Sequence, residues 1–261
     1  MMLSFIRRQK QPLRAPKGRR TYAVGDIHGR LDLLDQLLAE VERDIAERPA
    51  AETYLVFLGD LIDRGPQSRE VVERLRTLTS PSFRPVFLIG NHEEVLLRLL
   101  GGERGLLRSW LNFGGAECAE SYGVDPRQLK QLPEPDALTM LQQAIPPDHA
   151  DFLRTFIDTF RFGDYLFVHA GIRPGVDLAD QSQRDLRWIR AAFLDDPSDH
   201  GFLVVHGHTI SEEVDERPNR IGIDTGAYAT GILTAIGIEN DQRWYLSTDD
   251  ARSEQTASLV D

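Results

Sequence analysis

Five apolar runs in this chain pass straight into aspartate, asparagine or histidine. Thr21-Tyr22-Ala23-Val24 leads into Gly25-Asp26-Ile27-His28-Gly29, and Tyr54 to Leu58 into Gly59-Asp60-Leu61-Ile62-Asp63-Arg64-Gly65. Pro85 to Ile89 leads into Gly90-Asn91-His92-Glu93. Farther on, Phe167-Val168-His169-Ala170-Gly171 and Val204-Val205-His206-Gly207-His208-Thr209 end apolar runs in histidine. The spacing of Asp26, Asp60 and Asn91 is about that of one βαβ unit. Parallel strands would therefore deliver all three side chains to one sheet edge, the edge where open α/β sheets bind ligands. A single Gly-Asp after a strand is more often a turn, since both are default turn residues. Five junctions built only from Asp, Asn and His read instead as one ligand set. Oxygen and imidazole donors without thiolate suit Mn, Fe or Zn pairs better than Ca or a structural zinc.

Charge limits the partners. At −11 over 261 residues, the chain lacks the clustered Lys and Arg of a nucleic-acid-binding face. Residues 1–20 run the other way, with Arg7, Arg8, Lys10, Arg14, Lys17, Arg19 and Arg20 and no acid. They read as a solvated, disordered basic arm, with a weak contact to anionic lipid or an acidic partner as the alternative. The lone Cys118 excludes an internal disulfide framework and fits a reducing compartment. No run approaches the ~18 apolar residues of a spanning helix, so a cytoplasmic enzyme without stable membrane insertion is expected.

The rest of the chain reads as one domain over 21–248, with a flexible tail from 249 to 261. Leu31 to Val41 shows helical spacing, as do Val71 to Arg76 and His92 to Leu100. Residues 101–160, rich in proline and helical patterns, read as a helical insertion over the site, in which His149 looks like a solvated helix start. Strands are expected at 165–169, 202–206, 220–224, 232–238 and 243–247, with one helix near 184–194. The hairpin-like spacing of the later strands suggests a second, mixed sheet.

The pattern suits a two-metal phosphoesterase. Such a site needs a carboxylate bridging two ions ~3.5–4 Å apart, terminal ligands on each side, and room for water and phosphate. Asp26 and His28 can meet one ion, Asp60 is the natural bridge, and Asn91, His169 and His208 complete the second. The water between the ions would become hydroxide near neutral pH. His92 is the candidate acid for the leaving group, with a further ligand as its alternative. Asp63 can orient it, and Arg64 can take phosphate oxygens bidentately; the alternative for this pair is a local ion pair capping the next helix.

The three N-terminal motifs resemble the signatures of the phosphoprotein phosphatase branch of calcineurin-like metallophosphoesterases. Within it they are most similar to bacterial and bacteriophage lambda-type serine/threonine phosphatases. The resemblance spans roughly residues 21–240. It implies an α/β fold, a β-sandwich of two mixed sheets flanked by helices, and the metal assignments above, with Mn expected and Fe or Zn as alternatives. Trp188-Ile189-Arg190 resembles a phage-type Trp-x-Arg, which nominates Arg190 as a second phosphate-binding residue; a surface arginine is the alternative. The implied activity is a phosphomonoesterase acting on phosphoserine and phosphothreonine proteins, with phosphotyrosine as a further substrate, or on small phosphoesters. A dinucleoside-polyphosphate hydrolase is the alternative, disfavoured because those relatives usually replace the acid at the position of Asp63. Long eukaryotic insertions are missing, so no regulatory subunit is inferred. The element Gly207-His208-Thr209-Ile210 lacks the second histidine of many diesterases, which predicts a preference for monoesters.

Overall fold

The computed structural model describes residues 13–249. The expectations for Arg7, Arg8, Lys10 and the tail beyond Asp249 lie outside those residues. Strands β1 (Arg19–Val24), β2 (Glu52–Phe57) and β3 (Arg84–Phe87) are separated by helices α1 (Leu31–Glu47) and α2 (Ser68–Arg76). They pair in parallel, with Tyr22 opposite Leu55 and Val56 opposite Val86. Helix α3 (Asn91–Leu100) then opens a run of short helices, α4 (Leu107–Trp110), α5 (Ala116–Ser121), α6 (Pro126–Gln131), α7 (Glu134–Ala144) and α8 (Pro147–Arg154). A π-helical turn, Leu111–Gly115, joins α4 to α5.

Strands β4 (Thr159–Phe162), β5 (Tyr165–Val168), β6 (Leu203–His206), β7 (Asp215–Glu216) and β8 (Arg220–Gly222) make a second sheet. Its order is β4-β5-β6-β8-β7. Helices α9 (Gln183–Trp188) and α10 (Ala191–Leu194) lie between β5 and β6 in the chain, and α11 (Ala227–Thr230) follows β8. The chain then returns through β9 (Thr234–Glu239) and β10 (Gln242–Ser247) to the first sheet, whose order is β10-β9-β1-β2-β3.

Strand alternation explains the layering. Tyr22, Val24, Leu55 and Phe57 pack with Leu33, Leu34 and Leu37 of α1 in one core. Their neighbours Ala23, Val56 and Leu58 join Phe167, Val205, Ile221 and Ile236 in another, between the two sheets. On the second sheet Leu166, Val168 and Val204 point the opposite way, onto Leu186, Ile189 and Phe193. The molecule is thus helix, sheet, sheet, helix, a doubly covered β-sandwich of two mixed sheets. No helix among the described residues is long and apolar enough to cross a membrane.

Four expectations need correction. Arg19 and Arg20 belong to β1, not to the arm. Arg20 is buried and paired with Glu239 at 2.8 Å and with the Pro49 carbonyl at 2.8 Å. The strands expected from 165 onward omit β4, which begins at Thr159, at the close of the insertion, and pairs antiparallel with β5. The helix expected over 184–194 is two, broken where Arg190 leaves helical geometry (φ −132°, ψ −112°). His149 is buried, held between Tyr122 Oη at 2.9 Å and Glu73 Oε2 at 3.1 Å.

Candidate active site

The loops after β1, β2, β3, β5 and β6 leave at one edge of the sandwich, and backbone hydrogen bonds lock them together. The Asp60 carbonyl accepts from the amides of Ile27 and His28, at 3.1 and 2.9 Å. Gly207 N–H donates to the His169 carbonyl at 2.8 Å, joining the two histidine loops. A side chain at Gly207 would place its Cβ 2.0 Å from Asp26 Oδ1, so only glycine lets the β6 loop close onto the β1 loop. Five of the six non-glycine residues with positive φ among the described residues are here: His28 (45°), Asp60 (49°), Asp63 (71°), Arg64 (66°) and His208 (66°). Such conformations cost about 1–3 kcal/mol each and persist where the surroundings over-determine them.

The candidate ligands converge around Asp60. Its Oδ2 lies 3.4 Å from His169 Nε2, 3.7 Å from His28 Nε2 and 3.9 Å from His92 Nε2. Two donor groups result, His28–Asp60–His92 and Asp60–His169–His208, each with its donor atoms within 4.8 Å of one another. Asp60 is common to both. Asn91 Oδ1 faces His169 Nε2 at 3.0 Å. Asp26 stands outside both groups, but its Oδ1 is buried and unpartnered, as are His28 Nε2 and His208 Nε2. Buried polar atoms normally find partners, so three orphaned donors at one edge fit cations. The second nitrogen of two rings is already fixed by a backbone carbonyl: His28 Nδ1 by Ile62 at 2.7 Å and His169 Nδ1 by Leu58 at 2.8 Å. That leaves Nε2 of each aimed inward, the usual arrangement of a ligating histidine.

Charge is arranged around the same point. Burial raises the Asp26 carboxyl, and Asp224 and Asp60 raise it further. Burial also acts on Asp60, yet His169 and His92 overcome it and hold Asp60 well below the usual range. Burial lowers His28 to about 3 and His208 to about 2, so both are neutral and able to ligate.

His92 is different. Burial disfavours its cation, but Asp60 and Asp63 outweigh that and push it up to about 9. Its Nδ1 lies 2.6 Å from Asp63 Oδ2, and Trp110 Nε1 donates to the same carboxylate at 3.0 Å. Because an indole only donates, Asp63 is held as an acceptor and His92 Nδ1 carries the proton between them. His92 Nε2 is 3.4 Å from Arg64 Nη2.

Three supporting residues escaped sequence reasoning. The Glu93 carboxylate accepts from the amides of Asp60 (2.8 Å), Leu61 (2.8 Å) and Gly90 (3.0 Å), clamping the second and third loops together. Its place in the Asn-His-Glu run was the only signal. Trp110 looked like an ordinary core residue. Tyr228 sits edge-on to His28 and beneath the Arg64 guanidinium, 4.8 Å away.

Arg190 joins Arg64, His92 and His208 around a cavity of about 320 Å³. His206 does not reach the site; its Nδ1 faces the Gly207 carbonyl and its ring packs edge-on against Phe193. Asp224 is buried beside the site and accepts from Gly226 N–H at 2.9 Å.

A model of the calcineurin-like phosphoesterases matches residues 19–231. The chain belongs to that family. Among curated relatives, an asymmetrical bis(5'-nucleosyl)-tetraphosphatase from Anoxybacillus flavithermus is 28% identical, covering 82% of this chain and 88% of that protein. A symmetrical bis(5'-nucleosyl)-tetraphosphatase from Burkholderia thailandensis is 30% identical over 67% of this chain and 55% of its own. The fold matches a solved candidate diadenosine tetraphosphatase with a TM-score of 0.60, 22% identity, and coverage of 89% and 98% of the two chains. It also matches a cold-active protein-tyrosine phosphatase of a Shewanella species, with a TM-score of 0.54, 17% identity, and coverage of 89% and 83%. Calcineurin-like phosphoesterases use a dinuclear divalent centre, and the donor groups of this phosphoesterase fit one. The lambda-type subgroup suggested by the motifs is not resolved by these matches.

Proposed function

We propose that this phosphoesterase hydrolyses a phosphoanhydride bond of dinucleoside polyphosphates. The observation that carries the reading is the cavity above Asp60, where Arg64 and Arg190 stand beside exposed aromatic rings, Phe113 and Trp188. Arginine forks suit phosphate oxygens and open aromatic faces suit bases. The names of the curated relatives support the same reading. It takes precedence over the serine/threonine phosphatase expected from the motifs, for which Asp63 was the argument.

Asp26, His28, Asp60, Asn91, His169 and His208 would hold two divalent ions, Mn first, with Fe or Zn as alternatives. When bound, such ions would offset polyphosphate charge and make an attacking water more acidic. Arg64 and Arg190 would grip the oxygens of the reacting and neighbouring phosphates. Asp63 fixes His92 through Nδ1 and leaves Nε2 to face the leaving oxygen. The position of that nitrogen 3.4 Å from Arg64, a phosphate-binding candidate, supports the reading of His92 as proton donor; its place in the His28–Asp60–His92 group supports the alternative, a further ligand.

The reading replaces the expected preference for monoesters. Every phosphorus of a dinucleoside tetraphosphate carries two bridging oxygens and one negative charge, as in a diester. The protein phosphatase remains the second reading, favoured by the buried Asp63–His92 pair, which could protonate a poor alkoxide leaving group.

The test is metal-free protein reconstituted with Mn, Fe, Zn or Mg. It is assayed against diadenosine tetraphosphate, a phosphoserine peptide, p-nitrophenyl phosphate and bis(p-nitrophenyl) phosphate. The tetraphosphate should give the highest kcat/KM, and its products distinguish symmetrical from asymmetrical cleavage. A higher kcat/KM on the phosphopeptide would overturn the reading in favour of the second.

A further inference from the structure

Two of the large apolar side chains left exposed among the described residues are aromatic: Phe113, 67% exposed, and Trp188, 39% exposed. They come from distant parts of the chain, yet both line the cavity above the ligand cluster. Exposed apolar residues scattered singly are ordinary, whereas apolar surface gathered in one groove marks a binding face.

Each ring is carried on a tethered segment. Phe113 occupies the kink of the π-helical turn (φ −107°, ψ 23°), followed by Gly114 at φ 108°. The Gly114 carbonyl accepts from Arg64 N–H at 2.9 Å, so the segment presenting Phe113 is tied to a phosphate-facing arginine. Trp188 closes α9, two residues before Arg190, and its Nε1 donates to Glu94 Oε2 at 3.1 Å. The neighbouring Arg187 is anchored to Asp158 at 2.6 Å. Trp188 also lines a second, larger groove of about 920 Å³, shared with Arg98 and containing Arg173 and Arg184. The indole thus stands open between the two cavities.

We propose that Trp188 and Phe113 form a nucleobase clamp that sets the specificity of this site for nucleotides. The proposal rests on the polyphosphate reading above. Each ring is tethered close to an arginine at the cavity, so a base between the rings would place its 5′-phosphates toward Arg64 and Arg190. The groove beyond Trp188, where Arg98 is paired with Glu103 and Arg173 with Asp185, leaves room for the remainder of a long substrate beside Arg184. Both aromatic faces are sequence-tolerant stacking surfaces, so the clamp would accept purines and pyrimidines with modest preference.

The test is calorimetric binding of AMP and of inorganic phosphate to metal-free protein, for wild type, Trp188→Ala, Trp188→Phe and Phe113→Ala. Both positions are exposed, and circular dichroism checks that each variant keeps the fold. AMP should bind wild type more tightly than phosphate does. Trp188→Ala should weaken AMP by about 5-fold to 150-fold, the range of one base stack. Trp188→Phe should restore most of the loss, and phosphate affinity should stay constant throughout. Equal affinity of wild type for AMP and phosphate would overturn the clamp, as would an AMP advantage that survives Trp188→Ala. Wild type that binds AMP through Trp188 but leaves diadenosine tetraphosphate intact would support the clamp and remove the substrate reading alone.

Discussion

Asp60 is the residue on which the site turns, because it is the only carboxylate common to both donor groups. Replacing it with asparagine keeps the size and removes the charge. Asp60→Asn should abolish hydrolysis and reduce bound metal to one ion or fewer. Elemental analysis finding two ions at full occupancy would show that Asp60 joins nothing. His92 should behave differently, since Arg64 faces its Nε2. His92→Asn should leave metal content unchanged and cost ~10²–10⁴ in kcat on alkyl phosphates. The loss should shrink for p-nitrophenyl phosphate and for a polyphosphate, which leave readily without a proton; equal losses on all three would rule out proton donation. Aspartate, asparagine and histidine at strand ends were legible in the sequence because ligands have few chemical substitutes. Glu93, Trp110 and Tyr228 were not, since their roles come from partners 32 to 200 positions away that only the folded chain reveals: Glu93 on Leu61, Trp110 on Asp63, Tyr228 on His28.

At the scale of elements, the helical stretch between β3 and β4 does more than cover the site. Its α4 sends the Trp110 indole to Asp63, and the turn after it holds Arg64 through Gly114. Trp110→Phe keeps the packing and deletes one hydrogen bond to a buried carboxylate. A hydrogen bond to a charged group is worth about 1.5–3 kcal/mol. The variant should therefore lose roughly 10-fold or more in kcat on alkyl phosphates with little change in KM or metal content, and its pH–rate profile should shift. A profile identical to wild type would reduce Trp110 to packing. Helical spacing disclosed these helices, but not the π-helical turn, where Phe113 and Gly114 break periodicity over two residues. The break at Arg190 was hidden in the same way, inside an unbroken apolar pattern.

Across the whole molecule, the two sheets were legible from apolar runs and the spacing between them, while β4 and β7 were missed because four and two residues are too few to stand out as a run. The outer face of the first sheet is tied to α1 through Asp44, which accepts from Tyr22, Arg48 and Trp244. Burial alone would raise the Asp44 carboxyl; those hydrogen bonds overcome it and hold it below its ordinary value of 3.8. A depressed carboxyl stabilises the fold above its unfolded pKa and loses that effect as pH falls through the folded value. The Tm gap between wild type and Asp44→Asn should be widest near neutral pH and close below about pH 3.8. A gap independent of pH would mean the carboxylate charge is immaterial. The strand order has a consequence for how the chain is made. Strand β1 pairs with β2, the next strand made, yet its other neighbour, β9, follows only after every strand of the second sheet. Until β9 is made, β1 offers a bare edge to any other nascent chain, and the first sheet cannot be completed before the strands of the second have been synthesised.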